Sequence, residues 1–134
     1  MKQLFQGDLG PSYKYLGRDV SDIIYDTFPV SFTLGLCAVF VVLGLGVPAG
    51  MISAYWQNSL LDRSVLLIAA MSISIPSFVL GAILVWIFSH HWHWLPPALW
   101  EGPRHMILPA FALGAGFAGY VARLTRTTVL DVLS

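Results

Sequence analysis

The side chains with the clearest potential for chemistry are four histidines in the second half of the chain, His90, His91, His93 and His105. Imidazole nitrogens are good ligands for zinc and nickel, and Glu101 could supply a carboxylate beside them. The first three histidines alternate with Trp92 and Trp94, however, and amphipathic rings of this kind collect where a membrane meets water. Because no cysteine pair or carboxylate pair completes a ligand set, we predict no metal site here.

A second motif of chemical interest is the stretch GAGFAG at residues 114–119, which matches the G-x-G-x-x-G fingerprint of dinucleotide sites. That fingerprint works between a strand and a helix, with an acidic residue about 20 positions further on. Here it lies inside an apolar run, and Asp131 is too near to serve. We therefore predict no bound cofactor.

Three serines flank a proline in the stretch MSISIPSF, namely Ser72, Ser74 and Ser77 around Pro76. Their hydroxyls can line a polar path through a membrane, or they can bond the backbone carbonyl that the proline leaves free. Both interpretations stay open, and these four residues are the candidates for a translocation path. No Ser–His–Asp arrangement or nucleophile elbow accompanies them, so we predict no catalytic residue and no enzyme.

The composition shows what kind of element must carry these residues. Hydrophobic residues make up 57% of the chain and charged residues 10%, against roughly 25% charged in soluble domains. So few charges cannot cover the surface of a small soluble domain, and a lipid bilayer is the natural solvent. The formal net charge is zero, so a nucleic-acid partner is not expected.

Uncharged intervals divide the sequence into long runs, at residues 27–61, 64–100 and 105–122. About 20 mostly apolar residues cross a bilayer, and in hydrocarbon the backbone must bond to itself, which favours helices. We predict an all-α membrane protein with transmembrane helices at 29–55, 65–89 and 106–122. Pro48 and Pro76 fall inside these helices and are expected to kink or loosen them.

Basic residues at the ends of these helices indicate the orientation. Arg63, Arg123 and Arg126 lie close to predicted spans, and such positions favour the cytoplasmic side. The remaining segments follow from this: an extracytoplasmic tail with a short amphipathic helix at 1–28, a cytoplasmic connection at 56–64, an extracytoplasmic loop at 90–105, and the start of a cytoplasmic region at 123–134.

Small residues recur at helix-packing distance in the first and third predicted spans. Gly46 and Gly50 form a G-x-x-x-G pair, and Gly116 and Gly119 each follow an alanine at the same spacing. This spacing places small residues on one face, where two backbones can approach closely. We predict that these four glycines serve helix packing.

Several segments together resemble one family, the membrane permeases of dipeptide, oligopeptide and nickel ABC importers. The segments are FQGDLGPSY at 5–13, SISIPSFVLGAILVWIF at 72–88, HWLP at 93–96 and HMILPAFALGAGFAGYVARLTRTTVLDVL at 105–133. Members have about six spans, and this chain resembles the second to fourth. It stops just short of the cytoplasmic E-A-A---G loop that docks the ATPase in the family, and Asp131 stands where members often have Glu, so we expect a partial sequence.

The resemblance implies a permease subunit in the bacterial inner membrane that moves peptides by alternating access. The implied partners are a second permease subunit forming a heterodimer, two ATP-binding subunits and an extracytoplasmic solute-binding protein. Arg123 and Arg126 would begin the cytoplasmic coupling side, or would anchor the helix to the inner leaflet. The alternative is a secondary transporter or channel, which requires an ionisable residue or a broken helix at mid-span.

Overall fold

The computed structural model describes residues 10–15, 17–97 and 99–133, which fall into two compact units dividing between Leu34 and Gly35. Regular structure in this part of the chain is helical, as predicted. The helices are α1 Val20–Tyr55, α2 Leu60–Ser74, α3 Ser77–Leu84, a π-helix Val85–His91, a 3₁₀ helix Pro103–Met106 and α4 Ile107–Leu133.

The first unit holds the start of α1. The Val20 amide donates to the Gly10 carbonyl at 3.0 Å, and Pro11 forms an isolated antiparallel bridge with Asp19. Arg18 forms an exposed ion pair with Asp26, a residue one to two turns inside the helix. Residues 1–9, which include most of the stretch FQGDLGPSY, lie outside the described residues.

Helix α1 differs from its prediction at the N-terminal end. The helical residues 20–28 are continuous with the predicted span at 29–55 and form no separate helix. Thr27 and Thr33 donate to the carbonyls four residues before them, at 2.7 Å each, so polar side chains here are satisfied within the helix. Pro29 and Pro48 also lie within α1. The transition from polar to apolar residues therefore marks no helix boundary.

A tight turn joins α1 to α2. Asn58 adopts a left-handed conformation with φ of 64°, which asparagine tolerates better than most residues. Ser59 then caps α2, because its hydroxyl accepts a hydrogen bond from the Asp62 amide at 3.2 Å. The helix thus begins at Leu60, five residues before the predicted apolar span.

The predicted span at 65–89 is broken at its proline. Helix α2 ends at Ser74, Ile75 is extended, and α3 begins after Pro76 at an angle of 104° to α2. The residue before a proline is disfavoured in the helical conformation, which accounts for the break at Ile75. The change of direction is far larger than the kink expected from sequence.

Helix α4 is longer than the predicted span at 106–122. It continues to Leu133, eleven residues beyond Ala122, because neither glycine nor proline follows Gly119 within the helix. Both α2 and α3 pack against it. Its buried positions are mainly small residues, namely Leu108, Ala110, Ala112, Gly114, Ala115, Ala118, Gly119 and Ala122.

Large apolar side chains lie on the outside of these helices. Phe40, Phe78 and Phe117 are each at least 69% exposed. Among the residues that the structure describes, two helical segments are long and apolar enough to cross a membrane, Val20–Tyr55 and Pro103–Leu133, and a third crossing results if the bent pair counts as one span. The chain is a membrane protein, with small residues inside and large apolar residues facing outward.

Candidate functional site

The contact between α1 and α4 is made by glycines. A Cβ atom added to Gly46 would lie 2.8 Å from the Ala118 carbonyl oxygen, and one added to Gly50 would lie 2.5 Å from that of Ala122. Both distances are shorter than real side chains tolerate, so the two backbones touch here. The G-x-x-x-G pair therefore lies at the helix contact where close approach requires it.

A second face of α4 packs on α2. A Cβ atom on Gly119 would lie 2.7 Å from the Ala69 carbonyl oxygen, and one on Gly116 would lie 3.4 Å from that of Ser72. Gly114, which is not among the predicted packing residues, faces α1, where a Cβ atom added to it would lie 2.9 Å from the Ala38 carbonyl oxygen. Helix α4 thus contacts both α1 and α2 closely, and at Gly114 and Gly119 these contacts leave no room for a side chain, whereas at Gly116 a Cβ would be in ordinary contact.

The serines near the bend bond to their own helix. Ser72 and Ser74 donate to the carbonyls of Ile68 and Ala70, each at 2.9 Å. The carbonyl that Pro76 leaves free is that of Ser72, which faces Gly116, so neither bond reaches it. The two hydroxyls therefore bond within α2, and they do not bond to the backbone carbonyl that the proline leaves free.

An open groove of about 480 Å³ lies beside this bend. Ser72, Ser77 and Ile75 line one side of it, and Gly116 and Tyr120 of α4 line the other. A second groove, of about 470 Å³, shares Ser72 and Ile75 but is otherwise apolar and continues along α1. Two of the four candidate path residues, Ser72 and Ser77, thus line open space, whereas Ser74 and Pro76 line neither groove.

The most extensive polar contact in the described chain lies at the other end of α2. Arg126 donates to Asp62 through two nitrogens, Nε to Oδ1 at 2.7 Å and Nη2 to Oδ2 at 2.8 Å. The Asp62 carboxylate also accepts from the Ser53 hydroxyl and from the Asn58 amide, the latter at 2.9 Å. We call these four residues the Asp62 cluster.

Burial makes the Asp62 cluster unusual. Asp62 is 2% exposed and Ser53 is fully buried, whereas the side chain of Arg126 is 17% exposed. Asp62 precedes the apolar run that begins at Val65, and the hydrogen bonds from Arg126 and Ser53 hold the pKa of its carboxyl well below the usual range. The carboxylate is therefore ionised, paired and fully hydrogen-bonded.

Sequence reasoning did not find this cluster. It placed Asp62 in the connection at 56–64 and Arg126 on the coupling side, 64 positions further along. One feature of the sequence does distinguish Asp62, since it is the only acidic residue between Asp26 and Glu101, but this feature does not indicate its partner. Arg123 is exposed.

The histidines do not converge. Among the described residues, no three His, Cys, Asp or Glu side chains lie close enough to hold a metal ion. His91 stacks on Trp86 with ring centroids 6.2 Å apart, and Trp92 and Trp94 approach to 4.7 Å. The segment forms an exposed aromatic surface at the end of the π-helix.

Comparison with known proteins gives this bundle its context. Residues 46–134 match the model of the family described as binding-protein-dependent transport system inner membrane component. That match covers more than half of the chain, from the glycine contact of α1 to the end of α4. The chain belongs to this family. The resemblance predicted from sequence is therefore confirmed.

Individual members of the family match nearly the whole chain. The oligopeptide transport system permease protein OppB of Escherichia coli strain K12 is 44% identical over 135 residues, 99% of this chain and 44% of OppB. The dipeptide transport system permease protein DppB of Bacillus subtilis strain 168 is 37% identical over 134 residues, 100% of this chain and 44% of DppB. The glutathione transport system permease protein GsiC of Escherichia coli O6:H1 is 40% identical over 129 residues, 96% of this chain and 42% of GsiC. The chain spans less than half the length of these relatives.

Proposed function

We propose that the chain forms part of the permease subunit of an ATP-driven, binding-protein-dependent importer of di- or oligopeptides in the bacterial inner membrane. The family match over residues 46–134 supports this proposal most directly. The transporter would combine this subunit with a second permease, two ATP-binding subunits and an extracytoplasmic solute-binding protein. The chain itself would supply a path and no catalytic group.

In this proposal the grooves beside the α2–α3 bend form part of the translocation path. A peptide carries backbone amides and carbonyls, and the hydroxyls of Ser72 and Ser77 with the adjacent carbonyls offer neutral partners for them. No charged residue occurs between positions 64 and 100, so the path at this level would not select by charge. Such a lining suits peptides of varied side chains.

The alternative, a secondary transporter, has one observation in its favour. Discontinuous helices at mid-membrane are typical of ion-coupled transporters, and the break at Pro76 has that form. Ion coupling also requires an ionisable residue near the break, and the nearest charge in sequence is Arg63 before Pro76 and Glu101 after it. The ATP-driven importer therefore explains the sequence better.

Reconstitution of the whole transporter tests the proposal. Liposomes that contain both permeases and both ATPases are expected to accumulate labelled peptide only when ATP is inside and the binding protein is outside. Inactivated ATPase subunits provide the control. Uptake that follows an ion gradient and ignores ATP would support the secondary transporter instead.

The proposed orientation predicts the result of reporter fusions. A reporter placed after Ser134 is expected to be active in the cytoplasm, and one inserted between residues 96 and 102 is expected to be active outside, because Arg63, Arg123 and Arg126 favour the cytoplasm. Alkaline phosphatase activity and green fluorescence measure the two sides independently. The opposite pattern would reverse the topology.

A further inference from the structure

The Asp62 cluster joins segments that are far apart in sequence. Ser53 lies near the end of α1, Asn58 in the turn, Asp62 in the first turn of α2 and Arg126 in the last third of α4. One carboxylate therefore bonds to three other segments at the same time. The turn between α1 and α2 cannot leave α4 without breaking a bidentate ion pair and exposing a buried charge.

The packing around the Asp62 cluster reinforces this connection. Gly50, one turn before Ser53, touches the backbone of Ala122, one turn before Arg126. The Cβ of Thr125 would lie 2.6 Å from a Cβ on Gly50, so the contact extends along α4 to the ion pair. Close backbone packing and a buried ion pair thus join the α1–α2 turn to this part of α4 at the same point.

In the proposed orientation, the Asp62 cluster lies between the membrane-spanning part of α4 and the cytoplasmic end of that helix. Beyond Arg126 the helix continues to Leu133, on the side that we propose faces the ATP-binding subunits. A displacement of that end would move Arg126 first, because Arg126 lies between Leu133 and the membrane-spanning part of α4. Through Asp62 it is passed directly to the start of α2, the helix that carries the bend and the grooves.

We propose that Asp62 is a positioning residue for energy coupling: with Arg126 it makes the α1–α2 turn move together with the cytoplasmic end of α4. This inference rests on the proposed function, since coupling requires an ATPase. Without the ion pair α4 would still pack on α2 at Gly119 and Ala69, but movement of its end beyond Arg126 would be transferred less completely to the α1–α2 turn. ATP hydrolysis would then continue with less transport.

The test measures peptide taken up per ATP hydrolysed in liposomes that contain the complete transporter. Asp62→Asn keeps the shape of the side chain and removes its charge, and we expect it to lower this ratio about tenfold. Ser53→Ala removes one hydrogen bond to the carboxylate but keeps the ion pair, so a smaller loss in the same direction is expected. Arg63→Gln changes a neighbouring exposed charge and serves as the matched control.

A purely structural role predicts a different result. Asp62→Asn would then reduce the amount of assembled transporter, while peptide uptake per ATP in the remaining complexes stayed at the wild-type value, and that outcome would overturn the inference. If Asp62→Asn does not assemble, Arg126→Lys decides, because lysine keeps the positive charge but cannot form the bidentate pair, and an unchanged ratio in that variant would be equally contrary. Absence of ATP-dependent uptake in the wild type would instead refute the proposed function.

Discussion

Gly50→Leu is expected to separate α1 from α4 and to destabilise the helix bundle by about 2–3 kcal/mol, as overpacking does in well-packed cores. The first atom of the new side chain would lie 2.5 Å from the Ala122 carbonyl oxygen and 2.6 Å from the Thr125 Cβ. Both neighbours belong to a helix that is held on its other face by α2. Because the obstacle is backbone, no change of rotamer can relieve it.

Gly44→Leu provides a matched control for this substitution. Gly44 lies in the same helix and the same apolar segment, but a Cβ there meets no atom within 4 Å. Both variants gain the same helix propensity and the same apolar surface, so the difference between them isolates the contact with α4. Thermal unfolding of the purified permease in detergent measures it. Equal melting temperatures for the two variants would show that α1 does not pack on α4 through this face.

Asp62→Ala is expected to destabilise the protein by about 3 kcal/mol, the cost of leaving one partner of a buried ion pair alone. The Arg126 guanidinium would keep little access to water, since its side chain is 17% exposed. Arg126→Ala would instead leave the buried Asp62 carboxylate without its cationic partner. The double variant is expected to lose less stability than the sum of the two single variants, because it removes both charges.

Equilibrium unfolding of the four proteins in detergent gives the interaction free energy directly. Arg63→Ala, which replaces an exposed residue next to Asp62, is expected to change stability by no more than about 0.5 kcal/mol. An additive cycle would mean that Asp62 and Arg126 do not interact in the membrane protein.

Sequence patterns located the helices of this chain but not their ends. The uncharged run at 27–61 predicts a helix reliably, because the backbone in hydrocarbon has few alternatives. Hydropathy records where lipid gives way to water, however, and α1 and α4 both continue beyond that point to Val20 and Leu133. Helix boundaries depend on capping and breaking residues such as Ser59 and Pro76, which follow different rules.

Spacing alone could not identify the partner of each small residue. Gly44 and Gly46 are two positions apart in the same helix, yet one faces open space and the other touches α4. Which face is used depends on how the helices assemble. The Asp62–Arg126 pair was inaccessible for the same reason, since an ion pair across 64 positions is a property of tertiary structure.

The 104° bend has a consequence for the surroundings of the subunit. Helix α2 has 15 residues and is therefore about 22 Å long, less than the roughly 30 Å thickness of the hydrocarbon layer. In the topology that we propose, the interrupted backbone at Ile75 and Pro76 falls within the depth of the membrane, where acyl chains offer no hydrogen bonds. This corner would then need a neighbouring helix or an aqueous lumen to separate it from lipid.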